Sequence, residues 1–144
     1  MRLNVDHLSR TIDTLEQAML ALERHQHEPE SVTFDLYRNA AIKSFELSLE
    51  TAGKLLRKAL KPFEASPRTV DAWVFNDVLR YAGKHGVLQT VEIERWFTYR
   101  ANRNSTAHDY GKGFANETLK LLPTYIVDVR HLAQQIQRIF DATA

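Results

Sequence analysis

Val5, Leu8, Ile12, Leu15, Met19 and Leu22 follow one another at alternating steps of three and four residues. That spacing lays one apolar stripe along an amphipathic helix of about five turns. His25-Gln26-His27-Glu28-Pro29-Glu30 interrupts the stripe, and Pro29 cannot continue the helix. Ser31 is placed to cap a long second helix whose stripe runs Phe34, Ile42, Phe45, Leu49, Ala52, Leu56, Leu60, with Ala41 filling the wide gap. Its other face carries Arg38, Lys43, Glu46, Glu50, Lys54, Arg57 and Lys58, where pairs such as Glu50–Lys54 form at four-residue spacing.

Ser66-Pro67 marks a third helix start, with serine as cap and proline in the first turn. This helix holds Trp73, Val74, Val78, Tyr81 and Ala82 and ends near Gly83 or Gly86. Thr90 caps a fourth, with Glu92 and Glu94 favourable to its dipole and Val91, Ile93, Trp96, Phe97 and Ala101 as its apolar positions. A last stripe, Ala115, Leu119, Leu122, Ile126, Val129, Ala133, Ile136 and Phe140, repeats strictly as four-three, with Pro123 inside it as a source of a kink. No segment alternates with period two. The pattern predicts an all-α protein, an antiparallel up-and-down bundle of four to five helices in one domain over residues 1–144. The stripes of the two terminal helices suit either the bundle itself or a second subunit.

Composition narrows the chemistry. The absence of cysteine excludes disulfides, zinc-thiolate sites and thiol catalysis. No run approaches the roughly 20 apolar residues needed to span a bilayer, and the first residues lack the apolar core of a signal peptide. A soluble, cytoplasmic protein without membrane contact is expected. The His25/His27 pair has no carboxylate at helical spacing in its own element, and Glu46 and Glu50 lack a partner Glu-x-x-His, so no metal site and no cofactor is expected.

The net charge of +1 names no partner, but its distribution is uneven. Lys54, Arg57, Lys58, Lys61 and Arg68 face Glu64 alone in one stretch, and Arg95, Arg100, Arg103 and Lys112 face Asp109 alone in another. Such patches can hold phosphates, although solvated helix faces give the same pattern. The second patch contains the densest chemistry in the chain. Arg100-Ala101-Asn102-Arg103-Asn104-Ser105-Thr106-Ala107-His108-Asp109-Tyr110 lies between a packed helix and the loop signal Gly111-Lys112-Gly113. On a continuous helix the five-residue step from Arg103 to His108 turns about 500°, leaving the two side chains about 140° apart. They converge if the helix unwinds before His108. An arginine clamps a phosphate with a planar fork, and a histidine moves protons near neutrality. Together they supply the minimum for metal-independent RNA cleavage: a 2′-hydroxyl is deprotonated and the charged phosphorane is stabilised. One histidine cannot be base and acid at once, so a second copy from a dimer mate would complete the set. Read on spacing alone, Arg103 could equally pair with a carboxylate while His108 ends a helix.

Arg103-Asn104-Ser105-Thr106-Ala107-His108-Asp109-Tyr110 resembles the R-x4-H-x-Y signature of the HEPN superfamily, in particular its HepT-like branch, also called nucleotidyltransferase substrate-binding proteins. Arg38-Asn39-Ala40-Ala41-Ile42-Lys43-Ser44-Phe45-Glu46, Ser66-Pro67-Arg68 and Trp96 also fall where that branch has similar residues, so the resemblance covers roughly residues 5 to 140. It implies a helical bundle that forms homodimers with motif residues of both subunits lining one cleft. It further implies an RNase toxin whose partner, an MntA-like minimal nucleotidyltransferase, transfers AMP from ATP onto the motif tyrosine, here Tyr110. Carried over by position, Arg103 holds the scissile phosphate, His108 transfers protons and Asn104 orients one of them; from the basic patch, Arg100 is read as support or a second phosphate contact and Lys112 as another phosphate contact. The chain departs from the pattern at Asp109, beside His108, and at Gly53, where the branch often has a larger residue. A second function fits the same residues: a non-catalytic substrate-binding or docking subunit of a nucleotidyltransferase complex.

Overall fold

Ser31 has extended backbone and its Oγ accepts the Phe34 N–H at 3.0 Å, which starts the longest run before the site. The computed structural model describes residues 5–64, 66–106 and 112–143. Among these, six α-helices and one 3-10 turn appear and no strand. They are α1 (Asp6–Arg24), α2 (Val32–Leu60), a turn at Lys61–Phe63, α3 (Pro67–Ala72), α4 (Phe75–Lys84), α5 (Thr90–Thr106) and α6 (Lys112–Thr143). The fold is the all-α bundle that the stripes predict. α1, α2 and α6 pack together, and α5 and α4 close the remaining side.

The core follows the four-three spacing. Leu8, Ile12 and Leu15 of α1, Phe45, Leu49, Leu56 and Leu60 of α2, and Leu122, Val129 and Ile136 of α6 are buried. Each fully buried residue of this size contributes about 1.5–3 kcal/mol over its exposed state. The two terminal stripes are therefore occupied within the chain. Arg130 of α6 also reaches Asp13 and Glu16 of α1, at 3.1 and 2.9 Å. α6 runs continuously through Pro123, which faces solvent.

Several local expectations are corrected. The third helix is cut in two, because Trp73 and Val74 both adopt extended backbone. Arg57 stabilises the break by donating Nη1 to the carbonyls of Val70 and Trp73, at 3.0 and 2.7 Å, so the α3 end is satisfied by a side chain from α2. Val74, counted as apolar face, is exposed in consequence. The Ser66 hydroxyl caps nothing; its carbonyl accepts the Thr69 N–H instead. Thr90 is the first residue inside α5 rather than its cap. Gln89 precedes it, with its carbonyl taken by Ile93 and its own N–H directed at Glu92 Oε1. Val91 and Ala101 lie outward, and Tyr99 takes the buried place instead. The α4 terminus is where the glycine signal puts it. Gly86 has φ +73°, Val87 N–H returns to the Ala82 carbonyl and Gly86 N–H to Gly83, a Schellman ending.

Gly53 explains its own departure from the larger residue expected there. A Cβ on it would come within 2.6 Å of Phe75 Cε2, so its bareness is the seat of the Phe75 ring.

Candidate active site at the end of α5

α5 is fixed against α6 by a polar seam, which the sequence reading did not foresee. Arg95 donates Nε and Nη2 to the two oxygens of Asp128, each at 2.8 Å, and the Tyr99 hydroxyl donates to Asp128 Oδ2 at 2.5 Å. Asp128 and Tyr99 are only 3% and 2% exposed. Burial alone would raise the Asp128 carboxyl, but hydrogen bonds from Arg95 and Tyr99 outweigh it and hold the group below the ordinary carboxylate value. Burial, reinforced by the bond to Asp128, pushes the Tyr99 phenol well above its usual range, so it stays a donor. A forked arginine–carboxylate pair sets orientation as well as energy.

The seam extends both ways. On one side Glu92 meets His131 Nδ1 at 2.8 Å, and Gln135 donates to the Val87 carbonyl at 3.2 Å. On the other, the Thr118 hydroxyl donates to Asn102 Oδ1 at 2.7 Å. As residue numbers rise along α5 they fall along α6, so the two helices are antiparallel. Beneath the seam, Trp96, Tyr99 and Tyr125 meet edge to face with centroids 5.1 to 5.8 Å apart. Tyr125 also shares a 2.7 Å hydrogen bond with Ser48 of α2 and packs its ring on Phe45. Trp96, read as a family position, is thus the buried centre of the contact between α5 and α6.

Arg95, Tyr99 and Arg103 stand at four-residue steps, so they form one ridge of α5. Asp128 pins its first two members. Arg103, half-buried, is the third. Arg100 turns away from it toward α4, with its guanidinium 5.2 Å over the Phe75 ring. Asn104 is on the last turn of α5 and Lys112 opens α6, but the side chains of both lie outside the described atoms. Residues 107–111, with His108, Asp109 and Tyr110, lie outside the described residues. Of the expected site, the structure therefore places Arg100 and Arg103 on adjacent rows at the C-terminal end of α5. It also brings Asn102 to the start of α6.

The first basic patch is largely consumed by the fold. Lys54 pairs with Glu50 at 3.3 Å, Lys61 with Asp71 at 3.1 Å, and Arg57 closes α3. His25 stacks on Tyr37 at 5.3 Å. Among the described residues no group of three or more His, Asp or Glu side chains is arranged to hold a metal, and no helix is long and apolar enough to cross a membrane.

Asp128, Tyr99 and Tyr125 were legible only indirectly. Asp128 directly precedes Val129 of the α6 stripe, and Tyr99 lies four residues after Arg95. A carboxylate beside an apolar stripe signals a buried partner without naming it.

Comparison with known proteins agrees with this architecture. The chain is 24% identical over 139 residues to a Haemophilus influenzae protein named probable ribonuclease HepT, covering 95% of this chain and 94% of that one. A solved Haemophilus influenzae structure, described as revealing the fold of a substrate-binding domain of a nucleotidyltransferase, superposes with a TM-score of 0.82 at 23% identity. The match covers 93% of this chain and 99% of that one, and establishes the fold. The model of the family described as nucleotidyltransferase substrate binding protein like matches residues 3–138. The chain belongs to that family.

Proposed function

We propose that this protein is a metal-independent endoribonuclease of the HEPN type, the toxin of a toxin–antitoxin pair silenced by a nucleotidyltransferase. The observation that carries the reading is the complete Arg103-x4-His108-x-Tyr110 pattern, at the end of a ridge anchored through Arg95 and Tyr99 to Asp128. The likeness over nearly the whole chain to a protein named probable ribonuclease HepT supports it.

In the proposed reaction His108 takes the proton from a ribose 2′-hydroxyl. The 2′-oxygen forms a bond to phosphorus, the bond from phosphorus to the 5′-oxygen breaks, and the departing 5′-oxygen receives a proton from the second histidine of a homodimer. The products are a 2′,3′-cyclic phosphate and a 5′-hydroxyl end. Arg103 binds the non-bridging oxygens, with Asn104 as orienting group and Arg100 and Lys112 along the flanking phosphates. Silencing follows from AMP transfer: the Tyr110 oxygen attacks the ATP α-phosphorus, pyrophosphate leaves and the phenolic proton passes to solvent. The added phosphate sets negative charge where RNA must bind.

Cleavage of a single-stranded RNA by the purified protein tests this. His108→Ala and Arg103→Ala should each lower the rate at least about 100-fold, as expected for loss of a proton-transfer or oxyanion group. Wild-type protein treated with ATP and a cognate nucleotidyltransferase should carry AMP on Tyr110 and cleave as poorly as His108→Ala. Equal rates for wild type and His108→Ala, or an adduct that leaves cleavage intact, would overturn the reading.

A second reading has its own support in the family description, and in the solved relative described as a substrate-binding domain of a nucleotidyltransferase. In it the bundle docks on the transferase and presents substrate without cutting RNA. A purified protein that binds the transferase and leaves RNA intact would favour it.

A further inference from the structure

Away from the motif, four aromatic rings form a continuous ladder, with Phe63 and His85 exposed and Trp73 and Tyr81 half-buried against the core. Phe63 lies parallel to His85, with centroids 4.7 Å apart and planes 18° apart. His85 meets Tyr81 edge to face at 4.4 Å, and Tyr81 meets Trp73 in the same way at 4.6 Å. Phe63 is 43% exposed. A groove of about 300 Å³ lies at the Trp73 and Tyr81 end and one of about 480 Å³ at the Phe63 and His85 end.

Cations border the ladder. Lys84 Nζ stands 6.0 Å over the Tyr81 ring, and Arg80 and Lys84 line the first groove, while Arg138 lines the second. Carboxylates are present too: Asp77 pairs with Arg80 at 2.8 Å, Asp71 with Lys61, and Glu64 neighbours Tyr81. Lys61, Arg80, Lys84 and Arg138 stand against these three, a small positive excess beside the ladder.

The ladder leads to the motif helix. Arg80 of α4 lies 5.2 Å over Phe97 of α5, and Arg100 of α5 lies 5.2 Å over Phe75 of α4. With Gly83 against Ile93, these contacts set α4 and α5 antiparallel. Going from Arg80 to Arg100 therefore moves along α5 toward Arg103, and Phe97 lies about 9 Å along the axis from Arg103 at 1.5 Å per residue. Both guanidiniums lie on rings, which restrains the fork that a phosphate would accept.

We propose that the Trp73–Tyr81–His85–Phe63 ladder and the cations beside it bind single-stranded RNA, whose backbone then follows the α4–α5 seam to the end of α5. Rings that accept any base, interleaved with cations that accept any phosphate, are the elements of sequence-tolerant single-strand binding. The proposal names the substrate path of the ribonuclease reading and rests on it for the choice of RNA, but binding is measurable without cleavage.

The test is fluorescence anisotropy of the full chain with a labelled single strand of about ten nucleotides, built from 2′-O-methyl RNA so that it cannot be cut through its 2′-oxygen. Phe63→Ala should weaken binding about five-fold or more, the loss of one stacked base. The double variant Arg80→Gln, Lys84→Gln should lower the slope of log affinity against log salt by about 1.4, at about 0.7 per lost phosphate contact. Lys43→Gln, on α2 about 15 Å along the helix from Gly53 at 1.5 Å per residue, should leave affinity and slope unchanged. Melting temperatures within error of wild type make these losses local.

Absent binding by the wild type, or affinities and slopes for Phe63→Ala and the double variant equal to those of Lys43→Gln, would overturn the proposal. So would variants that keep RNA affinity but no longer co-elute with the cognate nucleotidyltransferase, since the ladder would then belong to a protein partner. A wild type that binds the strand at the ladder yet leaves unmodified RNA intact would end the ribonuclease reading alone. One that cuts RNA with undiminished binding in the variants would end this proposal alone.

Discussion

Asp128 ties the helix that carries Arg103 to α6. It accepts three hydrogen bonds from two side chains of α5 while nearly sealed from water. Asp128→Asn keeps the shape but removes the charge and puts an N–H where an acceptor was. The expected loss is about 2 kcal/mol, below the cost of breaking a fully buried pair because Arg95 is partly exposed. Urea denaturation measures it. The pH dependence has a fixed sign. The carboxyl is lower in the folded state than unfolded, so its stabilisation is complete above the ordinary aspartate value near 4 and is lost as pH falls through the folded value. Acid unfolding followed by circular dichroism should therefore lose part of its steepness below about pH 4 in Asp128→Asn. Unchanged acid unfolding would show that the pair contributes nothing to pH-dependent stability. No periodicity announces such a residue: the α6 stripe shows that position 128 borders the core, but only the register against α5 shows that Arg95 and Tyr99 meet it.

At the scale of elements, the two glycines facing neighbouring helices make opposite predictions. Gly53→Ala drives a Cβ to 2.6 Å from the Phe75 ring, which is wedged beneath Arg100. The expected cost is about 1–2 kcal/mol after the better helix propensity of alanine is subtracted. Gly83→Ala meets the terminal Cδ1 of Ile93, the movable end of a side chain. Its rotamer adjustment and the alanine gain should nearly cancel, within about 0.5 kcal/mol. Thermal melts of the two variants check both, and equal losses would contradict the contrast. Helix existence was legible here and helix continuity was not. Ser66-Pro67 and Gly86 mark real boundaries, whereas the break at Trp73–Val74 depends on Arg57, which arrives from another helix. Val74 and Val91 show the same limit: an apolar residue in a helix still needs a neighbour before it becomes core.

At the scale of the molecule, the α1 and α6 stripes are spent inside the chain, so a second subunit must be met by other surfaces. The proposed reaction nevertheless needs one, because base and acid are two histidines. Light scattering should then give about twice the 16.6 kDa chain mass. Cleavage per chain should fall on dilution in step with dissociation of the pair. A chain that stays monomeric and keeps its full rate would remove the shared-site feature from the mechanism. The bundle itself was legible from the three long apolar stripes, since repeated four-three spacing leaves little but helix packing. The position of His108 relative to Arg103 was not, because spacing alone does not fix the path of the chain after α5, and His108 lies outside the described residues.

The bond between Ser48 and Tyr125 joins positions 77 residues apart, and Asp128 comes 25 residues after Arg103. On a ribosome the motif is therefore made before the helix that braces it. At about 5–20 residues per second, roughly 4–15 seconds pass between synthesis of Ser48 and of Tyr125. Throughout that interval Phe45 and Ser48 lack the Tyr125 cover, and α5, once made, lacks Asp128. A nascent chain thus carries Arg95 and Tyr99 without their buried acceptor until Asp128 has been made, and the proposed site would gain its supporting frame only with the completion of α6.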